Sequence, residues 1–234
     1  MPKKVATAKQ TSGAGFDFED KIVAWFLADL LNNDNPFSSL SAKISKIEFQ
    51  TRPDGWFLDD LLLKLKSQNG EEINLPFTVK SNIHFSGNGP NESMNRDLWE
   101  QYLNHETDTF NQDLDYLGIV NPILSSALST NINKLIAAAR DSEPEKLQKR
   151  IDKGNENGFS ESQIKIYNGF KCPSDLATKY SIEDQDIWKL LSRIIFLEFD
   201  FENATSKDEN RLITKCKNSL TSSDNIQEKL LCSK

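Results

Sequence analysis

The stretch WFLDDLLLKLKSQNGEEINLPFTVKSN, residues 56–82, decides the fold of this chain. It contains two apolar runs separated by SQNG, and an Asn-Gly pair between apolar runs is typical of a hairpin turn. The sequence therefore predicts two antiparallel strands. Asp59 and Asp60 open the first strand and Lys80 closes the second, although buried strands rarely carry charge. These charged residues pose the question of function.

Strand alternation predicts which side chains share a face of the hairpin. In the first strand, Asp60 lies on the same face as Lys64, because successive side chains point to opposite faces. In the second strand, Thr78 and Lys80 share the face opposite Val79. We therefore expect Asp60 and Lys80 to lie close together, at the matching ends of neighbouring strands.

The segments around the hairpin predict helices and further strands. Before it, FDFEDKIVAWFLADLL places apolar residues at helical spacing, and AKISKIEF predicts a short strand. After it, DYLGIV and IIFLEFDFE predict strands, whereas ILSSALSTNINKLIAAARD predicts a helix. The order indicates an α/β fold, with a mixed sheet flanked by helices and a helical C-terminal extension. We expect a flexible N-terminus over 1–15 and one domain over 16–234, with a helical insertion around 90–190.

Composition limits the classes of function. The net charge is −7 and the pI is about 5.0, which disfavours non-specific nucleic-acid binding by the chain as a whole. Three cysteines without metal-ligand spacing argue against a zinc site and fit a cytoplasmic location. Two histidines exclude a site built on several histidine ligands. No apolar run is long enough for a membrane helix, so no membrane partner is expected.

Glu19 completes a candidate site with the hairpin residues. It lies at the edge of the apolar face of the first helix, so its side chain can point toward the sheet. A helix carboxylate, the strand carboxylate of Asp60 and the lysine of the next strand are suited to metal-dependent hydrolysis, because carboxylates bind Mg²⁺. Lys80 would orient a water or stabilise developing negative charge.

The same residues have a structural interpretation. Asp59 and Asp60 would then cap a turn at a strand end, and Lys80 would be an edge lysine whose ammonium group reaches solvent. An aspartate and a lysine facing each other across a hairpin are common. Residue types and spacing alone leave both interpretations open.

A resemblance favours the catalytic interpretation. GAGFDFEDKIVAWFLADLL, then LDDLLLKL, then FTVKSN are similar to motifs of the restriction-endonuclease-like, or PD-(D/E)XK, superfamily in its Mrr-like branch. More narrowly, the chain resembles the N-terminal nuclease effector domain of bacterial antiviral STAND NTPases. This resemblance implies a restriction-endonuclease-like core.

The resemblance also implies a role for single residues. Glu19 matches the helical glutamate, Asp60 the metal-binding aspartate and Lys80 the catalytic lysine. Thr78 departs from the pattern, because the family has Glu, Asp or Gln there, so a ligand side chain is missing. The backbone carbonyl of Val79 is then a further expected ligand of Mg²⁺ or Mn²⁺. Residues expected to flank the site are Asp59, Thr78, Ser81 and Asn82.

The function implied by the resemblance is metal-dependent, non-specific cleavage of double-stranded DNA by an antiphage protein. Activity would follow assembly of a homo-oligomer, driven by NTPase and sensor segments that this chain does not contain. The alternative is an inactive nuclease-like fold that serves protein interaction or oligomerisation.

Overall fold

The computed structural model describes residues 8–37, 39–82, 84–104, 109–154, 158–201 and 206–221. Its helices are α1 (Ala8–Asn32), α2 (Glu92–Tyr102), α3 (Ser126–Asp141), α4 (Pro144–Lys153), α5 (Glu161–Gly169), α6 (Ser174–Tyr180), α7 (Ile187–Ser192) and α8 (Lys207–Thr221). Its strands are β1 (Ala42–Phe49), β2 (Leu61–Ser67), β3 (Glu72–Val79), β4 (Phe85–Ser86), β5 (Gly89–Pro90), β6 (Leu117–Pro122) and β7 (Ile194–Phe199).

Five of these strands form one mixed sheet in the order β1-β2-β3-β6-β7. Strands β1, β2 and β3 are successive antiparallel neighbours, whereas β6 is parallel to β3 and β7 is parallel to β6. The short strands β4 and β5 form a separate ribbon. The predicted α/β class, with a mixed sheet flanked by helices, is confirmed, and α8 follows the last strand.

The hairpin that joins β2 to β3 turns where the sequence predicts. The Ser67 N–H donates to the Glu71 carbonyl at 2.9 Å, so the strands separate only for the residues between them. Gly70 has a φ of +87°, a left-handed conformation that glycine adopts without strain. The turn fixes the register, which pairs Leu61 with Phe77 at the far end of the hairpin.

Two apolar cores lie on opposite faces of the sheet. On one face, α1 packs on β3, where the Phe26 and Phe77 rings lie 5.4 Å apart between centroids. Phe77 also covers Gly118 of β6 so closely that a Cβ there would come 2.1 Å from the ring. On the other face, α2, α3 and α7 enclose Leu62 and Ile119. Asp60 directly precedes β2 and Lys80 directly follows β3, so both lie at one end of the sheet.

The N-terminal part of the chain differs from expectation. Helix α1 begins at Ala8, so residues 8–15 of the segment predicted to be flexible are helical, and residues 1–7 lie outside the described part. The apolar periodicity of the sequence begins only at Phe18, which is why it does not reveal this first part of the helix. The other expected domain limits stay predictions. None of the helices in the described ranges is long and apolar enough to cross a bilayer.

Candidate functional site

Asp60 is held in place by the end of the β2–β3 ladder. The last residue pair is Leu61 with Phe77, so the Val79 N–H lies beyond the ladder. The Asp60 carboxylate replaces the missing strand acceptor: its Oδ2 accepts the Val79 N–H at 2.7 Å. The same oxygen accepts the Thr78 hydroxyl at 3.3 Å. These donors orient the carboxylate before any ligand binds, and Thr78 serves Asp60 instead of supplying a carboxylate of its own.

Lys80 follows directly after β3 and meets Asp60. Its Nζ donates to Asp60 Oδ2 at 3.0 Å, and the two side chains are 35% and 27% exposed. Its backbone N–H donates to the Val120 carbonyl of β6 at 3.1 Å, which fixes the main chain at this position. The predicted proximity of Asp60 and Lys80 is confirmed, and the pair is open to solvent on one side.

Glu19 lies half-buried on α1 within the electrostatic reach of this pair. Burial raises the pKa of the Glu19 carboxyl above its ordinary value of 4.5, and the negative charge of Asp60 raises it further. The positive charge of Lys80 lowers the same pKa. The charges of Asp60 and Lys80 therefore both act on Glu19, and a place for Glu19 in the site stays a prediction.

The expected flanking residues surround the site in different ways. Asp59 points away from Lys80 toward Arg52, with 3.8 Å between Asp59 Oδ1 and Arg52 Nη1, while its carbonyl accepts the Thr51 N–H at 3.3 Å. Ser81 is half-buried and Asn82 is exposed. The division between Asp60 in the site and Asp59 beside it agrees with strand alternation, and the roles of Ser81 and Asn82 stay predictions.

The donors at this site suit a cation that keeps much of its own water. In the ranges that the structure describes, no group of three or more His, Cys, Asp or Glu side chains could hold a metal. Mg²⁺ needs fewer, since one or two carboxylates, waters and a substrate phosphate usually bind it. Glu19 and Asp60 supply two carboxylates. The Val79 backbone carbonyl stays a predicted further ligand.

Two polar residues near Lys80 are not predicted from the sequence. Asp97, on α2, lies close enough to Lys80 for that charge to act on its carboxyl pKa, as do the charges of Arg52 and Asp59. Asn121, on β6, follows Val120 and is fully buried, and neither amide atom has a hydrogen-bond partner among the described residues. A buried orphan amide beside a site indicates a place for water or ligand. Only the register between distant strands and helices reveals either residue.

Comparison with known proteins gives distant structural matches only. No family model and no curated protein matches the chain. A solved Acinetobacter baumannii Cap4 SAVED/CARF-domain containing receptor, with the cyclic trinucleotide 3'3'3'-cAAA, is 12% identical with a TM-score of 0.39, and the match covers 93% of this chain and 36% of that one. A Moraxella osloensis Cap4 SAVED/CARF-domain containing receptor is 17% identical with a TM-score of 0.39, over 88% of this chain and 37% of that one.

These findings contradict the family assignment made from the sequence. The matched proteins are described as SAVED/CARF-domain containing receptors, and none as a PD-(D/E)XK nuclease or a STAND NTPase. The assignment to that nuclease effector family is wrong, and so are both functions derived from it, the non-specific effector nuclease and the inactive interaction module. The motifs behind it are short, and their order alone does not define a family.

These structural matches do not establish a function for the chain. The chain spans little more than a third of the length of the solved chains it matches, and at this similarity neither a ligand nor an activity is transferred. A role in antiviral defence, the duplex DNA partner, the NTPase and sensor segments, the homo-oligomer and the cytoplasmic location stay predictions.

Proposed function

We propose that the site formed by Glu19, Asp60 and Lys80 hydrolyses phosphodiester bonds with the help of Mg²⁺ or Mn²⁺. The observation that supports this proposal most is the arrangement around Asp60. Its Oδ2 accepts hydrogen bonds from the Val79 N–H and the Lys80 ammonium group, and its charge acts on the pKa of Glu19. Among the described residues, no hydrogen bond reaches Asp60 Oδ1. One oxygen of an oriented carboxylate therefore remains for a cation, and the carboxylate of Glu19 is within electrostatic reach of it.

The electrostatics favour a cation at this place. Burial raises the pKa of Glu19 most, and repulsion by the negative charge of Asp60 raises it further. A divalent cation would remove this repulsion, and Lys80 alone offsets one of the two charges. When bound, the metal polarises the phosphate and lowers the pKa of a coordinated water.

The residues of this chain supply positioning and charge. Asp60 and Glu19 would hold the cation, and the backbone anchor of Asp60 keeps it from rotating away. Lys80 is an ammonium group about a third exposed, so a phosphate oxygen can approach it. As a cation it stabilises the charge that builds on the phosphoryl oxygens when water attacks phosphorus and the bond to the leaving alcohol breaks.

Hydrolysis by the purified chain tests the proposal. Single-stranded DNA, plasmid DNA, RNA and a cyclic trinucleotide would be incubated with Mg²⁺, with Mn²⁺ or with chelator. Endodeoxyribonuclease activity, the form of the reaction expected from the sequence, is read from the DNA arms. We expect metal-dependent cleavage of at least one substrate, and a fall of about 10²-fold or more in Lys80→Met, since removing one charge-stabilising donor has effects of that size.

Lys64→Met is the matched control. Lys64 lies on the same face of β2 as Asp60 but pairs with Glu48 at 3.8 Å and Glu72 at 3.7 Å, away from the site. Its removal should leave the rate unchanged. Equal cleavage by wild type and Lys80→Met would reveal a contaminating nuclease and reject the proposal, as would the absence of cleavage of every substrate.

A further inference from the structure

The polar side of α2 holds the loop that delivers Asp60 to the site. Gln101 is fully buried, and its Oε1 accepts the Phe57 N–H at 2.7 Å and the Leu58 N–H at 3.3 Å. Asn104 donates from Nδ2 to the Gly55 carbonyl at 2.8 Å. These contacts fasten α2 to the chain that precedes β2, so residues one turn earlier on this side of the helix adjoin the part of the loop nearest Asp60.

Asp97 is that residue one turn earlier. Positions 97 and 101 are four apart, so their side chains share one side of α2. Asp97 is half-buried, and charges on two other segments act on its pKa: Arg52 and Asp59 before β2, and Lys80 after β3. Lys80, which contacts Asp60, is thus also within electrostatic reach of Asp97.

The other acids near Asp97 are engaged. Glu100 pairs with Arg96 at 3.3 Å, Asp59 with Arg52 at 3.8 Å, and Asp60 with Lys80 at 3.0 Å. Within the described residues, no hydrogen bond or ion pair occupies the Asp97 carboxylate. It is therefore a partly desolvated carboxylate beside the reaction centre that holds no structural contact of its own.

The environment of Asp97 makes it a stronger base than an exposed aspartate. Burial raises its carboxyl pKa most, and the charges of Glu100 and Asp59 raise it as well, whereas Arg52 and Lys80 lower it. The net shift is upward. A carboxylate with a raised pKa accepts a proton more readily, and proton acceptors contribute most when their pKa approaches the working pH.

We propose that Asp97 accepts the proton of the attacking water at this site, a role that rests on the proposed function. The water oxygen forms a bond to phosphorus as its proton moves to an Asp97 carboxylate oxygen. The bond from phosphorus to the leaving alcohol breaks, and the leaving oxygen takes a proton from solvent. Asp97 later returns its proton to solvent.

Asp97→Asn tests this role in the 234-residue chain. The amide keeps the size of the side chain but does not accept the proton, so kcat should fall by about 10²–10⁴-fold. The wild-type rate should rise with pH as Asp97 loses its proton, and the variant should lose this limb. The Mn²⁺ dissociation constant, from calorimetric titration at each pH, and the melting temperature should stay close to those of wild type.

Glu92→Gln is the matched control, since it neutralises an exposed acid in the first turn of the same helix. It should keep the wild-type rate and pH profile, and Asp97→Glu should recover part of the lost rate. Retention of most of kcat in Asp97→Asn rejects the proposal while the proposed function stands. Weakened Mn²⁺ binding in that variant would make Asp97 a metal ligand and also reject it. A wild type without activity removes the proposed function itself, and this proposal with it.

Discussion

The Lys215–Asp29 and Lys80–Asp60 pairs differ in what surrounds them. The Lys215–Asp29 pair joins α8 to α1, with Asp29 completely buried and Lys215 25% exposed. Lys215 Nζ also lies 4.6 Å from the centroid of the Trp25 ring. The Lys80–Asp60 pair joins the ends of two strands and is open to solvent.

The difference lies in the balance of charge. In the Lys215–Asp29 pair, one ammonium group neutralises one carboxylate. Burial raises the pKa of Asp29, and the positive charge of Lys215 lowers it. Around Lys80 there are Asp60, Glu19 and Asp97, so the carboxylates outnumber the ammonium group. The Lys215–Asp29 pair joins two helices without excess charge, whereas the carboxylates around Lys80 leave negative charge that a cation can neutralise.

Removing the lysine from each pair should therefore change the stability of the protein by different amounts. Lys215→Met leaves Asp29 buried and unpaired, which should lower the free energy of unfolding by about 3 kcal/mol. Lys80→Met should change it by about 1 kcal/mol or less, because its pair is partly exposed. Urea denaturation followed by circular dichroism measures both values.

A double variant controls for the loss of the Lys215 side chain itself. Asp29→Leu combined with Lys215→Met removes both charges and should recover most of the lost stability, because a buried ion pair is often replaceable by apolar side chains. If Lys80→Met destabilised the protein as much as Lys215→Met, the Lys80–Asp60 pair would be structural and the contrast would fail.

The two adjacent aspartates provide the next comparison. Asp60→Asn keeps an oxygen for the Val79 N–H but removes the negative charge, so Mn²⁺ binding should weaken by roughly 10-fold or more, given that even residues behind metal ligands have effects of about 10–100-fold. Asp59→Asn, which alters the contact with Arg52 and leaves Asp60 in place, should change the affinity little. Calorimetric Mn²⁺ titrations measure both, and equal losses would show that the two aspartates share the metal.

The sequence predicts the frame of this site better than its surroundings. The hairpin and the proximity of Asp60 to Lys80 follow from alternation and an Asn-Gly turn, which are local properties of residues 56–82. The position of Asp97 near this site depends on how α2 packs on the loop before β2. That packing uses contacts such as the one between Gln101 and Phe57, which are more than forty positions apart in the sequence. A polar residue on an amphipathic helix ordinarily faces solvent, so no local sequence pattern distinguishes Asp97 from the other polar residues of α2.

Asn121 shows the same limit on the sheet. In LGIVNP it looks like the polar end of a short strand, and its complete burial follows only from the pairing of β6 with β3 and β7. The family assignment failed for a related reason. Short motifs in a given order report a strand arrangement that different proteins reach, and they do not report the packing that separates those proteins.

The smallest expected effect concerns Glu19 and pH. Its folded-state pKa is raised, so the folded protein binds this proton more tightly than the unfolded chain does. The contribution of Glu19 to stability is then fully present below its unfolded pKa and is lost as pH rises through the folded pKa. Glu19→Gln removes that loss, so without metal it should unfold at a slightly higher temperature than wild type at pH 7 and at nearly the same temperature at pH 4.

Divalent metal should reverse this order. A ligand that binds only the folded state stabilises it in proportion to its affinity, so saturating Mn²⁺ should raise the melting temperature of wild type at pH 7 more than that of Glu19→Gln. Asp20→Asn, which neutralises the adjacent exposed acid of α1, is the control and should respond to Mn²⁺ like wild type. If Glu19→Gln gained as much from Mn²⁺ as wild type, Glu19 would not bind the cation, and the metal would rest on Asp60 and the backbone alone.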